Sequence, residues 1–163
     1  KIDTYVKGGV QWNKVPFPLL IMPASNLSYF IHDGTFSVMG NMEFLTDRYA
    51  YWGLSWDLNG KILNRIPLLK KLKGREYIGV KTLWGKLTDR NNPTLLANAA
   101  DPMLWAFPVG SYVMDPKRPY VELIAGVHNI FKILHVEFVH RCNYTHLPTA
   151  KRNGVRFMMR VTF

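Results

Sequence analysis

Gly154-Val155-Arg156-Phe157-Met158-Met159-Arg160-Val161-Thr162-Phe163 alternates without a break and stops on an aromatic. In an extended chain Val155, Phe157, Met159, Val161 and Phe163 share one face, and Arg156, Met158, Arg160 and Thr162 share the other. One side is apolar throughout, while the opposite side presents two guanidinium groups. The edge of a water-soluble sheet tolerates this pattern, but a strand that crosses a bilayer requires it. About ten tilted residues span the hydrocarbon, alternate side chains meet lipid, and polar groups survive only on the lumen side. Phe157, Met159, Val161 and Phe163 are therefore the candidate signal of a closing barrel strand.

The same period recurs upstream. Residues 134–144 divide into Leu134, Val136, Phe138, His140, Cys142 and Tyr144 on one face, and His135, Glu137, Val139, Arg141 and Asn143 on the other. The second set is expected to line a lumen, where His135, Glu137 and Arg141 form a polar network with Arg156 and Arg160 of the last strand. Residues 119–127, 75–87, 47–58 and 3–12 supply four more predicted strands, six in all, with Gly79 and Gly85 marking a bend or bulge in the 75–87 segment. The connections between them are uneven. Residues 13–46 and 88–118 are long and rich in turn formers such as Asn91-Asn92-Pro93 and Asp115-Pro116, whereas 127–133 is short. Structureless loops of that length are uncommon in compact soluble domains and ordinary on the outer side of a barrel.

Composition narrows the classes. Of 163 residues 48% are apolar and 20% charged, and five Trp, eight Tyr and nine Phe supply the amphipathic rings that favour membrane interfaces. The longest apolar run, residues 17–24, is broken by Pro18 and Pro23, so a membrane-spanning helix is excluded. Cys142 is the single cysteine, which removes disulfide frameworks and multi-cysteine metal sites. The chain begins at Lys1 without an initiator Met or a basic-apolar signal segment, the expected look of an N-terminus that is processed, truncated or simply unobserved. The formal charge of +10 comes with no nucleic-acid recognition motif. In a barrel the cations have other homes: Lys117-Arg118 and Lys151-Arg152 beside lipopolysaccharide phosphates, and Arg156 and Arg160 in the lumen. Residues 59–74 mix Ile62, Leu63, Ile66, Leu68, Leu69 and Leu72 with a run of lysines and Arg65. Such a basic amphipathic segment is expected to rest on anionic headgroups through Arg65, Lys70, Lys71 and Lys73.

Four stretches, taken in order, resemble the end of a large outer-membrane family of the Bacteroidetes. They are Phe44-Leu45-Thr46-Asp47-Arg48-Tyr49-Ala50, Asn64-Arg65-Ile66-Pro67-Leu68-Leu69-Lys70-Lys71-Leu72-Lys73, Gly126-Val127-His128-Asn129-Ile130-Phe131-Lys132 and Gly154-Val155-Arg156-Phe157 to the terminus. Members carry an N-terminal carboxypeptidase-regulatory-like domain and a β-barrel of the Omp85 surface-antigen type. The resemblance implies a sixteen-strand transmembrane β-barrel whose last six strands are residues 1–163, in the bacterial outer membrane with the C-terminus periplasmic. Residues 13–46 and 88–118 would then lie at the outer side and 59–74 and 127–133 at the periplasmic side. Residues 13–46 fall where that superfamily folds a loop into the lumen, but they lack its Arg-Gly-aromatic tip, so no insertase activity is carried over.

Catalytic readings are weak. His128, His135, His140 and His146 show no metal-ligand spacing, and His135 and His140 fall on opposite strand faces. There is no Gly-x-Ser-x-Gly elbow and no phosphate-binding glycine loop, and Ser55 and Ser111 have no recognisable partner. The sequence thus predicts a non-enzymatic outer-membrane barrel without cofactor or metal, one that assists envelope protein or lipid assembly or belongs to an outer-membrane complex. The alternatives are a surface receptor or pore for glycan, protein or lipopolysaccharide, and a lipid-modifying barrel enzyme. Expected partners are outer-membrane lipid, lipopolysaccharide, and other outer-membrane or periplasmic subunits, not nucleic acid.

Overall fold

The computed structural model describes residues 1–160; Val161 and Phe163, assigned above to the terminal signal, lie outside the described residues. The chain is all-β. Its strands β1 (Ile2–Val10), β2 (Arg48–Asp57), β3 (Arg75–Lys86), β4 (Tyr120–Ile130), β5 (Leu134–Arg141) and β6 (Asn153–Met159) form one sheet in the order β1-β2-β3-β4-β5-β6. Every neighbouring pair is antiparallel, so the sheet is a meander. The helical turn α1 (Pro67–Lys70) interrupts the β2–β3 connection, where Pro67 supplies a preset φ at the first helical position.

Two boundaries differ from the sequence reading for a physical reason. The 119–127 strand runs on to Ile130 because a register shift between Val127 and Ile130, with Asn129 at φ 61°, lets the chain rejoin Leu134. Its connector to β5 shrinks to Phe131-Lys132-Ile133. The 134–144 strand stops at Arg141, where side chains take over from the ladder: the Asn143 Oδ1 accepts the Val121 N–H of β4 at 3.1 Å, and the Arg141 Nε donates to the Asn143 carbonyl at 2.9 Å.

The registers sort side chains onto two faces. One face carries Tyr51, Lys81, Leu83, Tyr120, Glu122, Ile124, Glu137, Val139, Arg141 and Arg156. The other carries Val6, Leu54, Trp56, Ile78, Val80, Trp84, Leu123, Phe138, Val155 and Phe157. Burial runs opposite to the rule for a protein in water. Glu122, Glu137 and Arg141 are buried, while Val6, Trp56, Ile78, Trp84, Leu123, Phe138 and Val155 are exposed. What covers the polar face is residues 13–46, which cross it as a strap.

Phe36, Val38, Met39 and Phe44 of the strap are buried against Tyr51, Leu83, Tyr120, Ile124 and Val139 of the sheet. Phe36 meets Tyr51 and Tyr120 edge-to-face with ring centroids 5.0 and 5.4 Å away. A second cluster of Val15, Leu20, Leu45 and Leu87 closes the base of the strap against the start of the 88–118 loop. Gly85 makes room there: a Cβ would lie 2.6 Å from both Met114 Sδ and Thr46 Cγ2.

Candidate functional site

The sheet's polar face and the strap over it hold most of the buried charge. Glu43 and Arg141 pair at 2.6 Å with their side chains almost wholly buried. Arg141 also donates to the Asn143 and Tyr144 carbonyls at 2.9 Å and lies over the Tyr120 ring at 4.9 Å. Beside it, Glu122 accepts three hydrogen bonds: from the Ser37 N–H at 2.8 Å, the Val38 N–H at 2.9 Å and the Tyr120 hydroxyl at 2.8 Å. Lys81, opposite Glu122 in register, donates to the Thr35 carbonyl at 2.8 Å. Arg156 donates to the Ser37 carbonyl. The strap is thus latched by charged side chains from β3, β4, β5 and β6, each aimed at a strap backbone group or at Glu43.

Below these latches the strap turns at His32-Asp33-Gly34-Thr35, where Gly34 takes φ +72°, a left-handed conformation suited to glycine. The turn leaves a cavity of about 420 Å³ against the sheet, lined among others by Asp33, Tyr77, Lys81, His128, His135, Glu137 and Arg160. His128 Nε2 lies 2.9 Å from Glu137 Oε1. Its ring stacks on Tyr77 at 4.2 Å and sits 4.7 Å from the His135 ring. The cavity can offer both hydrogen-bond donors and acceptors to a polar guest. Ser55 lines it too, but among the described residues no hydrogen bond joins Ser55 to either histidine. Among the described residues no group of three or more His, Cys, Asp and Glu is placed to hold a metal ion.

The residues singled out in the sequence are therefore distributed as follows. His135, Glu137, Arg141 and Arg156 share the polar face, and Arg160 lines the cavity at its edge. The expected contact of Glu137 and Arg141 with Arg156 and Arg160 does not form. Glu137 and Arg156 are opposite in register, yet Glu137 is taken by His128 and Arg156 by the strap, because the strap carbonyls reach over the face before the neighbouring strand can. Phe157 lies on the apolar face, packed against Tyr29 and Phe30 of the strap with centroids 6.4 and 5.6 Å away, and Met159 beyond it is exposed. Arg65, Lys70, Lys71 and Lys73 are exposed on the 59–74 connection, where Lys70 and Lys73 join Arg75 around an open cavity.

Sequence reasoning missed Glu43, Lys81, Glu122 and His128. Glu122 carried a signal, since it falls opposite the apolar set of Val121 and Leu123 in the same strand. His128 continues the alternation of Glu122, Ile124 and Gly126 but lies just past the expected strand end at Val127, and Glu43 sits in a loop where alternation carries no meaning. At the opposite end of β5 from the cavity, Cys142 is exposed, and partial burial together with the Glu122 charge pushes its thiol pKa up. No family model matches the chain, and neither a curated protein nor a solved structure matches it.

Proposed function

We propose that the chain is part of the wall of an outer-membrane β-barrel, with residues 13–46 filling the lumen beside it. The observation that carries this reading is the inversion of burial: charged side chains are covered and large apolar ones are bare. Fully burying one such side chain is worth about 1.5–3 kcal/mol, so a face of half-exposed ones forgoes on the order of 10 kcal/mol in water. That is comparable with the whole stability of a domain. In lipid the same face costs nothing, and the strand lengths agree with it. A strand of ten residues, as in β2, extends roughly 33 Å and at a tilt of about 40° covers about 25 Å, the height of a barrel's apolar band. At the β6 edge the Phe157 N–H donates to the Tyr29 carbonyl and its carbonyl accepts the Ile31 N–H, both at 2.9 Å, while backbone groups along the rest of that edge and along β1 need partners inside a bilayer, so further strands complete the wall.

The resemblance to the Bacteroidetes family with a carboxypeptidase-regulatory-like domain supports the same assignment. The role read here is non-enzymatic, assistance to envelope protein or lipid assembly or membership of an outer-membrane complex, a reading supported by Lys81, Glu122, Arg141 and Arg156 all holding the strap. A receptor role is the second reading, favoured by Leu96, Trp105 and Val109, which the 88–118 loop exposes to its surroundings. Alkaline washing of membranes tests the wall assignment. A barrel stays in the pellet and needs detergent to leave it, whereas release by alkali or high salt refutes the reading.

A further inference from the structure

We propose that the two connections at the β2–β3 and β4–β5 ends of the sheet form a binding site for the phosphodiester headgroup of an anionic phospholipid, an inference that rests on the barrel reading above. Between Asp57 and Glu76 the chain carries six cations, Lys61, Arg65, Lys70, Lys71, Lys73 and Arg75, and no carboxylate. Three of them, Lys70, Lys73 and Arg75, surround an open cavity of about 620 Å³ together with Asn59, Asn64 and Asn129, and no acidic side chain lines it. Ammonium and guanidinium groups around one space are what the non-bridging oxygens of a phosphodiester require.

The neighbouring carboxylates are engaged: Asp57 accepts the N–H of Asn59, a cavity residue, at 2.7 Å. Glu76 accepts the N–H groups of Ile62, at 3.0 Å, and of Leu63, which fixes the first turn of the connection. The second connection is stitched to the first by the Phe131 N–H donating to the Leu72 carbonyl at 2.8 Å. The cavity wall is therefore built by two tied segments.

The surroundings choose among anions. Ile62 and Ile66 on one connection, and Phe131 and Ile133 on the other, are exposed. Exposed apolar side chains on the same two connections as the cations are the composition of segments that lie at a headgroup–acyl boundary. A free phosphate has no use for that apolar rim. A phospholipid uses both parts, with its headgroup among Lys70, Lys73 and Arg75 and its chains along the sheet.

The test uses the full chain reconstituted in vesicles of phosphatidylcholine with and without phosphatidylglycerol, with bound lipid counted by native mass spectrometry after gentle detergent release. The wild type is expected to retain phosphatidylglycerol over phosphatidylcholine. Lys70→Gln/Lys73→Gln/Arg75→Gln is expected to lose this preference by roughly fivefold per cation removed. Raising salt to about 1 M, where screening acts within about 3 Å, should weaken the preference of the wild type, so the proposal is testable even if the triple variant folds poorly. Equal phosphatidylglycerol occupancy in a folded triple variant, or salt-independent retention, overturns the site. Displacement of phosphatidylglycerol by inorganic phosphate at equal concentration assigns the cavity to a soluble anion and also overturns it. Release of the wild type from vesicles by alkali refutes the barrel wall itself, a failure distinct from the other two.

Discussion

Replacing Glu43 by Leu removes the most buried latch, together with the hydrogen bond that Glu43 accepts from the Gly40 N–H at 2.6 Å. Arg141 would keep its bonds to the Asn143 and Tyr144 carbonyls and its place over Tyr120, but its charge would have no counterion in a site from which water is excluded. Unit charges about 4 Å apart interact by about 4 kcal/mol at an effective dielectric of about 20, in line with the 3–5 kcal/mol typical of breaking a buried pair from one side. For a chain of 163 residues that is a fall in melting temperature of about 6–20 °C. Arg141→Met should cost at least as much, since Glu43 is then left buried and charged. The double variant replaces the pair by apolar groups of similar volume and should recover most of the loss, because two desolvated charges disappear together. The assay is a double-mutant cycle on the heat-dependent loss of the folded band in electrophoresis, with protease cutting within residues 13–46 as the local readout. Additive single losses, or a Glu43→Leu loss below about 1 kcal/mol, would show that the pair does not hold the strap.

Other expectations follow from the same geometry. Glu122→Gln removes the charge behind the two strap hydrogen bonds and should destabilise by about 2–3 kcal/mol, with protease sensitivity rising at residues 36–38; unchanged protection would contradict the latch. Leu123→Arg, on the bare face, should reduce folding into vesicles by about 2–4 kcal/mol if that face meets lipid, whereas an effect within about 0.5 kcal/mol would mean that it meets water. Cys142 should react with a membrane-impermeant maleimide on intact cells, because it lies at the end of β5 remote from the chain terminus. As its thiol pKa is raised, labelling should keep accelerating with pH beyond about 8.5, where an ordinary thiol begins to level off; a rate that levels off there would refute that environment.

What the sequence disclosed and what it hid divide along a physical line. Alternation is a local property, so β2, expected over 47–58, forms as Arg48–Asp57, and β3, expected over 75–87, forms as Arg75–Lys86. The division of β5 into an apolar and a polar face was legible for the same reason, and the structure buries Glu137, Val139 and Arg141 together. Partners were not legible, because they are set by closure over long distances. Glu43 and Arg141 are 98 residues apart, and Ser37 and Glu122 are 85 apart. Nothing in the loop composition of residues 13–46 announces that its backbone N–H groups will be the ligands of a strand carboxylate. The meeting of His128 with His135 follows from the register that pairs Val127 with Val136, a cross-strand relation that the period of either strand alone does not reveal.

The latches also decide between a plug and a swinging lid. Opening the strap breaks the Glu122 bonds to Ser37 and Val38, the Lys81 bond to Thr35 and the Glu43–Arg141 pair, and it uncovers Phe36. Charge-assisted bonds are worth about 1.5–3 kcal/mol each even against water, and burial of a Phe adds about 2 kcal/mol. Taking only three bonds at the lower figure, opening costs on the order of 6 kcal/mol, an open fraction on the order of 1 in 10,000. A permanent pore along this face would need the opposite balance. The strap therefore belongs to the sheet's own structure, and any opening of this face has to come from a ligand that binds the strap-free state at least 10⁴-fold more tightly, or from elements other than this one.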